Sequence, residues 1–183
     1  RAEALLEGMY DAFVNGDESV KPNVRSFTTV LDAWSKSASP EAPQRAEQIL
    51  ARMLKHFESG ELDTKPNYVS YTTVINCWAK SRQQGAAERA EALLEGMYDA
   101  FVIGAESVKE NVRSFTTVLD AWSKYASPEA PQRAEQILAR MLTHFESGAL
   151  DTKPNYVSYT TVINCWAKSR QQGAAERAES LRE

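Results

Sequence analysis

The stretch Asn23–Ser37, NVRSFTTVLDAWSKS, returns 44 residues later as NYVSYTTVINCWAKS over Asn67–Ser81. Within the first copy Phe27, Val30, Leu31 and Trp34 fall at i, i+3, i+4 and i+7, which draws one apolar stripe down a helix. Thr28, Thr29 and Val30 are β-branched and would suit a strand, but apolar and polar residues do not alternate there, so the helical spacing decides. Pro22 precedes the stripe, and Pro40 and Pro43 follow it. A proline cannot continue a helix interior, so the element is bounded on both sides.

A second stripe follows. Ala46, Ile49, Leu50, Met53, Leu54 and Phe57 share one face of a helix that ends at Gly60, and Ala90, Leu93, Leu94, Met97, Tyr98 and Phe101 repeat the pattern. The unit is therefore a helix pair with a period of 44 residues. Residues 1–88 and 89–176 align without a gap and differ at six positions: Asn15/Ile103, Asp17/Ala105, Pro22/Glu110, Ser37/Tyr125, Lys55/Thr143 and Glu61/Ala149. Fixed self-similarity of this length marks a solenoid, in which each unit covers the apolar face of its neighbour.

The predicted fold is all-α, a right-handed α-α superhelix of 44-residue helix-turn-helix repeats forming one domain over residues 1–183. Its parts are a half repeat at 1–23, full repeats at 24–67, 68–111 and 112–155, and a truncated, polar-capped repeat at 156–183. Helices are expected over 1–15, 24–37, 43–59, 68–81, 85–103, 112–125, 131–147 and 156–169, with a last one from 173.

A chain of 183 residues with 43% hydrophobic and 25% charged content has enough apolar material for a sizeable core. It has no apolar run of membrane-spanning length and no basic start followed by an apolar signal core, so the expectation is a soluble chain, cytoplasmic in an expression host, with no membrane partner. A net charge of −4 and a pI near 5.4 argue against the strongly basic surface usual in nucleic-acid binding. Cys77 and Cys165 are repeat equivalents 88 residues apart and read as buried free thiols. His56 and His144 are equivalents too, and each is expected to face solvent. No His, Cys, Asp and Glu cluster has metal-ligand spacing, and neither a glycine-rich phosphate loop nor a nucleophile with its base is found. The expectation is no catalytic, cofactor or metal site and no small-molecule substrate.

The first helix, VRSFTTVLDAWSKS, and the second, RAEQILARML, with K-P-N after it, resemble the pentatricopeptide repeat, a relative of the tetratricopeptide repeat. The likeness covers nearly the whole chain, although its 44-residue unit is longer than the family's, with the additions between the helices and after the second. In that family single-stranded RNA lies along the first helices, one base per unit, read by one residue near the helix start and the last residue of the repeat. The resemblance implies the reading pairs Thr28 with Asn67, Thr72 with Asn111, and Thr116 with Asn155, a combination that favours adenine. The base-clamping position is aliphatic at Val69 and Val157 but is Arg25 and Arg113 in the alternate units. Read without the resemblance, each threonine is a first-turn helix residue and each asparagine a cap for orphan backbone N–H groups.

Natural duplicates drift by scattered changes, whereas here 82 of 88 positions are identical, which points to an idealised, designed repeat protein. Five of the six differences, giving Ile103, Ala105, Tyr125, Thr143 and Ala149, remove charge or polarity or enlarge a small polar residue. Together with Glu110 they are expected to form an oligomer interface outside the intramolecular stripes, because an exposed apolar patch on a soluble protein marks an interaction site. The expected partner is the chain itself, in a cyclic homo-oligomer of two to four subunits. Ser180 and Arg182, in place of Ala92 and Leu94, read as a polar cap on the last unit. The leading functional expectation is thus a synthetic self-assembling scaffold; the alternative is a single-stranded RNA-binding module.

Overall fold

The computed structural model describes residues 1–63, 65–125 and 127–181. Among them are nine α-helices and no strand. In chain order they are α1 (Ala2–Val14), α2 (Val24–Ser35), α3 (Ala42–Glu58), α4 (Tyr68–Ser81), α5 (Ala86–Val102), α6 (Val112–Lys124), α7 (Ala130–Glu146), α8 (Tyr156–Ser169) and α9 (Ala174–Ser180). Every helix boundary lies within two residues of the sequence expectation. Two short 3-10 turns, Glu18–Val20 and Glu106–Val108, follow α1 and α5 and were not foreseen. The cap expected at Arg182 lies outside the described residues, whereas Ser180 is exposed at the end of α9.

Local chemistry starts each first helix. Asn23, Asn67, Asn111 and Asn155 cap α2, α4, α6 and α8, each accepting from the backbone N–H three residues on, while the serine there closes a capping box. Such a cap stabilises a helix by about 1 kcal/mol, because it satisfies a donor that has no partner within the helix. α3 and α7 begin Ala-Pro, where the N–H that proline lacks would be unpaired in any case.

The helices then pack as two layers. α2, α4, α6 and α8 lie side by side, and α3, α5 and α7 each bridge two successive members of that row from the other layer. A contiguous core runs from Leu6 to Ala174, with Phe27, Leu31, Met53, Ile75, Leu94, Met97, Phe115 and Leu119 at 0% exposure. The expected all-helical repeat solenoid is what the chain forms.

A polar joint recurs between units. Trp78, Trp122 and Trp166 donate from Nε1 to Glu47, Glu91 and Glu135 at 2.9, 2.9 and 3.2 Å. The same carboxylates pair with Arg89, Arg133 and Arg177. Each glutamate thus ties one second helix to the next helix pair, and its two partners offset the cost of its partial burial. The signal is the tripeptide R-A-E, which recurs at 45–47, 89–91 and 133–135.

Candidate functional site

The six differing positions do not share one free surface. Ile103 closes α5 ahead of Gly104, whose φ of 99° suits a residue without a Cβ, and it is 86% exposed beside exposed Val102. Thr143 is exposed on α7, with its hydroxyl turned back to the Ala139 carbonyl at 3.2 Å. Ala105 and Ala149 are half-buried, Ala105 against the core. Tyr125 ends α6 half-buried, its ring edge-on to Trp122 at 6.2 Å. Ile103 closes α5 ahead of the N-terminal end of α6, whereas Tyr125 closes the C-terminal end of α6.

Glu110 corrects the expectation outright. It was expected on an outer interface and is only 5% exposed within its own subunit. Its carboxylate meets His144 Nδ1 at 2.8 Å and Arg140 Nη2 at 3.1 Å. His56 and His144, expected to face solvent, are buried as well, because each has a carboxylate partner and an aromatic neighbour. His144 stacks on Tyr98 at 4.3 Å, and His56 lies 4.6 Å from Tyr10.

The two histidines obtain that carboxylate differently. His56 Nδ1 meets Glu61 at 2.7 Å, five residues along the chain, and Tyr10 donates its hydroxyl to the same group. At the position equivalent to Glu61 the second half has Ala149, and its carboxylate comes instead from Glu110, at the position equivalent to Pro22. Two of the six differences are therefore one exchange. A signal for it was present: Pro22, Pro66 and Pro154 occupy the same buried slot in three units, so the residue replacing proline at 110 had to enter that slot too.

Burial drives the electrostatics of this cluster. Desolvation raises the Glu110 carboxyl to about 7 against the opposing pull of Arg140. Desolvation and then the Arg140 charge lower His144. In the first half, hydrogen bonds from Tyr10 and His56 hold Glu61 below the usual carboxylate range. Arg140 also approaches Glu95 at 3.6 Å, as its equivalent Arg52 approaches Glu7 at 3.5 Å, but the buried Nη2 that meets Glu110 in Arg140 has no partner among the described residues in Arg52.

The residues of the implied RNA readers lie along the first-helix row. Thr28, Thr72 and Thr116 donate to the carbonyls of Val24, Tyr68 and Val112 at 2.9, 2.7 and 2.9 Å. Asn67, Asn111 and Asn155 use Oδ1 for capping, and none of their Nδ2 amines donates to a described residue. The clamp positions Arg25, Val69, Arg113 and Val157 are exposed at the same turn of successive helices, with Tyr68 and Tyr156 beside the valines.

Cys77 and Cys165 are free and buried, and burial pushes both thiols up to about 11, which keeps them protonated and unreactive near neutral pH. Among the described residues no three His, Cys, Asp or Glu side chains gather as a metal site, and no helix is long and apolar enough to cross a membrane. No protein-family model and no curated protein matches the chain.

Proposed function

We propose that the chain is a non-enzymatic binding module that takes single-stranded RNA along the row of first helices. One observation carries this: in unit after unit along the row, the capping asparagine donates its amine to no described residue, and the first-turn threonine donates to its own helix and leaves its oxygen able to accept. Adenine presents a donor amine next to an acceptor nitrogen, the complement of that pair. Exposed Val69, Val157, Tyr68 and Tyr156 offer apolar and aromatic faces for the bases, and Arg25 and Arg113, at the same turn of α2 and α6, offer charge for the phosphates. The track is short and the chain acidic, so binding is weak and salt-sensitive.

Fluorescence anisotropy with a labelled oligoadenosine tests this. Saturable binding at low salt, weaker for oligouridine and reduced in a Thr72→Ala, Asn111→Ala variant, is the expected result. Absence of binding at low salt removes the proposal.

A second reading, self-assembly of an idealised scaffold, keeps one supporting observation, the exposed pair Val102 and Ile103 on the outer layer. Of the other positions on which it rests, Glu110 is internal and Tyr125 is half-buried. Light scattering decides it: a mass of about 20 kDa at micromolar concentration, unchanged by Ile103→Asn, sinks self-assembly.

A further inference from the structure

Two clefts occupy equivalent places in the halves of the chain, each where a first helix ends against the start of its second helix and the end of the next first helix. The cleft beside Ser37, of about 630 Å³, includes Lys36, Pro40, Cys77 and Lys80 in its lining. The one beside Tyr125, of about 480 Å³, has the equivalents Lys124, Pro128, Cys165 and Lys168, and adds Arg82 from the end of α4. It differs from its counterpart by an aromatic wall and a third cation.

Every charged residue lining the Tyr125 cleft is cationic, on a chain whose net charge is −4. Lys124 is tied to Asp120, whereas Lys168 donates to the Ser123 carbonyl at 3.3 Å and, like Arg82, forms no ion pair with a described residue. Three cations against one carboxylate leave the cleft with an excess of positive charge. Tyr125 supplies an adjacent partly exposed ring, held by its edge-on contact with Trp122. The volume lies in the range of sites that enclose small ligands.

We propose that this cleft binds a nucleoside monophosphate, with the base stacked on Tyr125 and the phosphate held by Arg82 and Lys168. Aromatic wall and cations are both needed, because stacking alone selects no anion and charge alone selects no ring. The cleft stands apart from the RNA track: Tyr125 and Lys168 close the C-terminal ends of the helices whose N-terminal turns carry Thr116 and Asn155. Adenosine monophosphate and oligoadenosine titrations therefore succeed or fail separately.

Calorimetric titration of the whole chain with adenosine monophosphate, and separately with inorganic phosphate, is the test. One saturable site is expected, tighter for the nucleotide than for phosphate. Tyr125→Ser should weaken nucleotide binding roughly 5- to 150-fold, the span of base–aromatic stacking, and leave it near the phosphate level. Tyr125→Phe keeps the ring and should keep the affinity, and Arg82→Gln should weaken both ligands. No saturable binding of the nucleotide, equal affinity for nucleotide and phosphate, or full affinity in Tyr125→Ser would each overturn the proposal.

Discussion

The two 88-residue halves are nearly the same sequence, yet they solve one problem in two ways. Each buries a histidine at the end of a second helix, among Tyr10 and Phe27 in one half and Tyr98 and Phe115 in the other. A buried imidazole needs a hydrogen-bond partner, and a carboxylate supplies it in both. In the first half Glu61 reaches in from the rim, its side chain 39% exposed; in the second Glu110 stands inside, at 3%. Moving one carboxylate inward changes the energetics more than the sequence difference implies. At the rim water screens the charge, whereas in the interior the charge must be matched by Arg140 and His144 or protonated.

The most severe test of the halves' equivalence is their shared core. Phe27→Ala and Phe115→Ala, both at 0% exposure, should each lower stability by about 3–5 kcal/mol in denaturant titrations. Costs that differ by more than about 1 kcal/mol would mean that the pockets differ beyond the carboxylate exchange.

Removal of the carboxylates should separate the halves. Glu110→Ala leaves Arg140 and His144 without their partner in the interior and should cost about 3 kcal/mol. Glu61→Ala deprives His56 of its hydrogen-bond partner but removes a carboxylate that water already screens, and should cost less than Glu110→Ala. The double change Glu110→Pro with Ala149→Glu transplants the first half's arrangement and should recover most of the loss in thermal melts; failure to do so would show that the two changes are not one exchange.

The smallest expected effect is the pH dependence. Glu110 is raised from its ordinary value to about 7, so its contribution is fully present below pH 4.5 and is lost as pH rises through 7. His144 is lowered, so its contribution is lost as pH falls below 6.5 through its depressed value. Stability should therefore rise by about 1 kcal/mol from pH 8 to pH 6 and turn over at lower pH. Glu110→Gln should flatten the upper limb; persistence of that limb in the variant would assign it to another group.

Most of the fold was legible because its determinants are local. The stripe at Phe27, Val30, Leu31 and Trp34, the asparagine caps and the flanking prolines all act within two helical turns, so spacing alone located every helix to within two residues. The functional surface was legible only in part. Thr72 and Asn111 can be named from their positions, but that the asparagine caps with its oxygen and keeps its amine is a matter of side-chain geometry. Glu110 was misjudged because the proline that recurs at its slot marks the position but not the partners a carboxylate meets there, which lie 30 and 34 residues ahead.

By itself the sequence determined the helices, their 44-residue period and the apolar face each must hide, since these follow from the order of neighbouring side chains. Only the tertiary structure decided which polar residues turn inward. It put Glu110 in a slot that three prolines fill elsewhere, and it left Ile103 bare and Tyr125 against Trp122. The physical reason is that burial of a charge depends on partners brought together by packing, and their distance along the chain carries no record of that meeting.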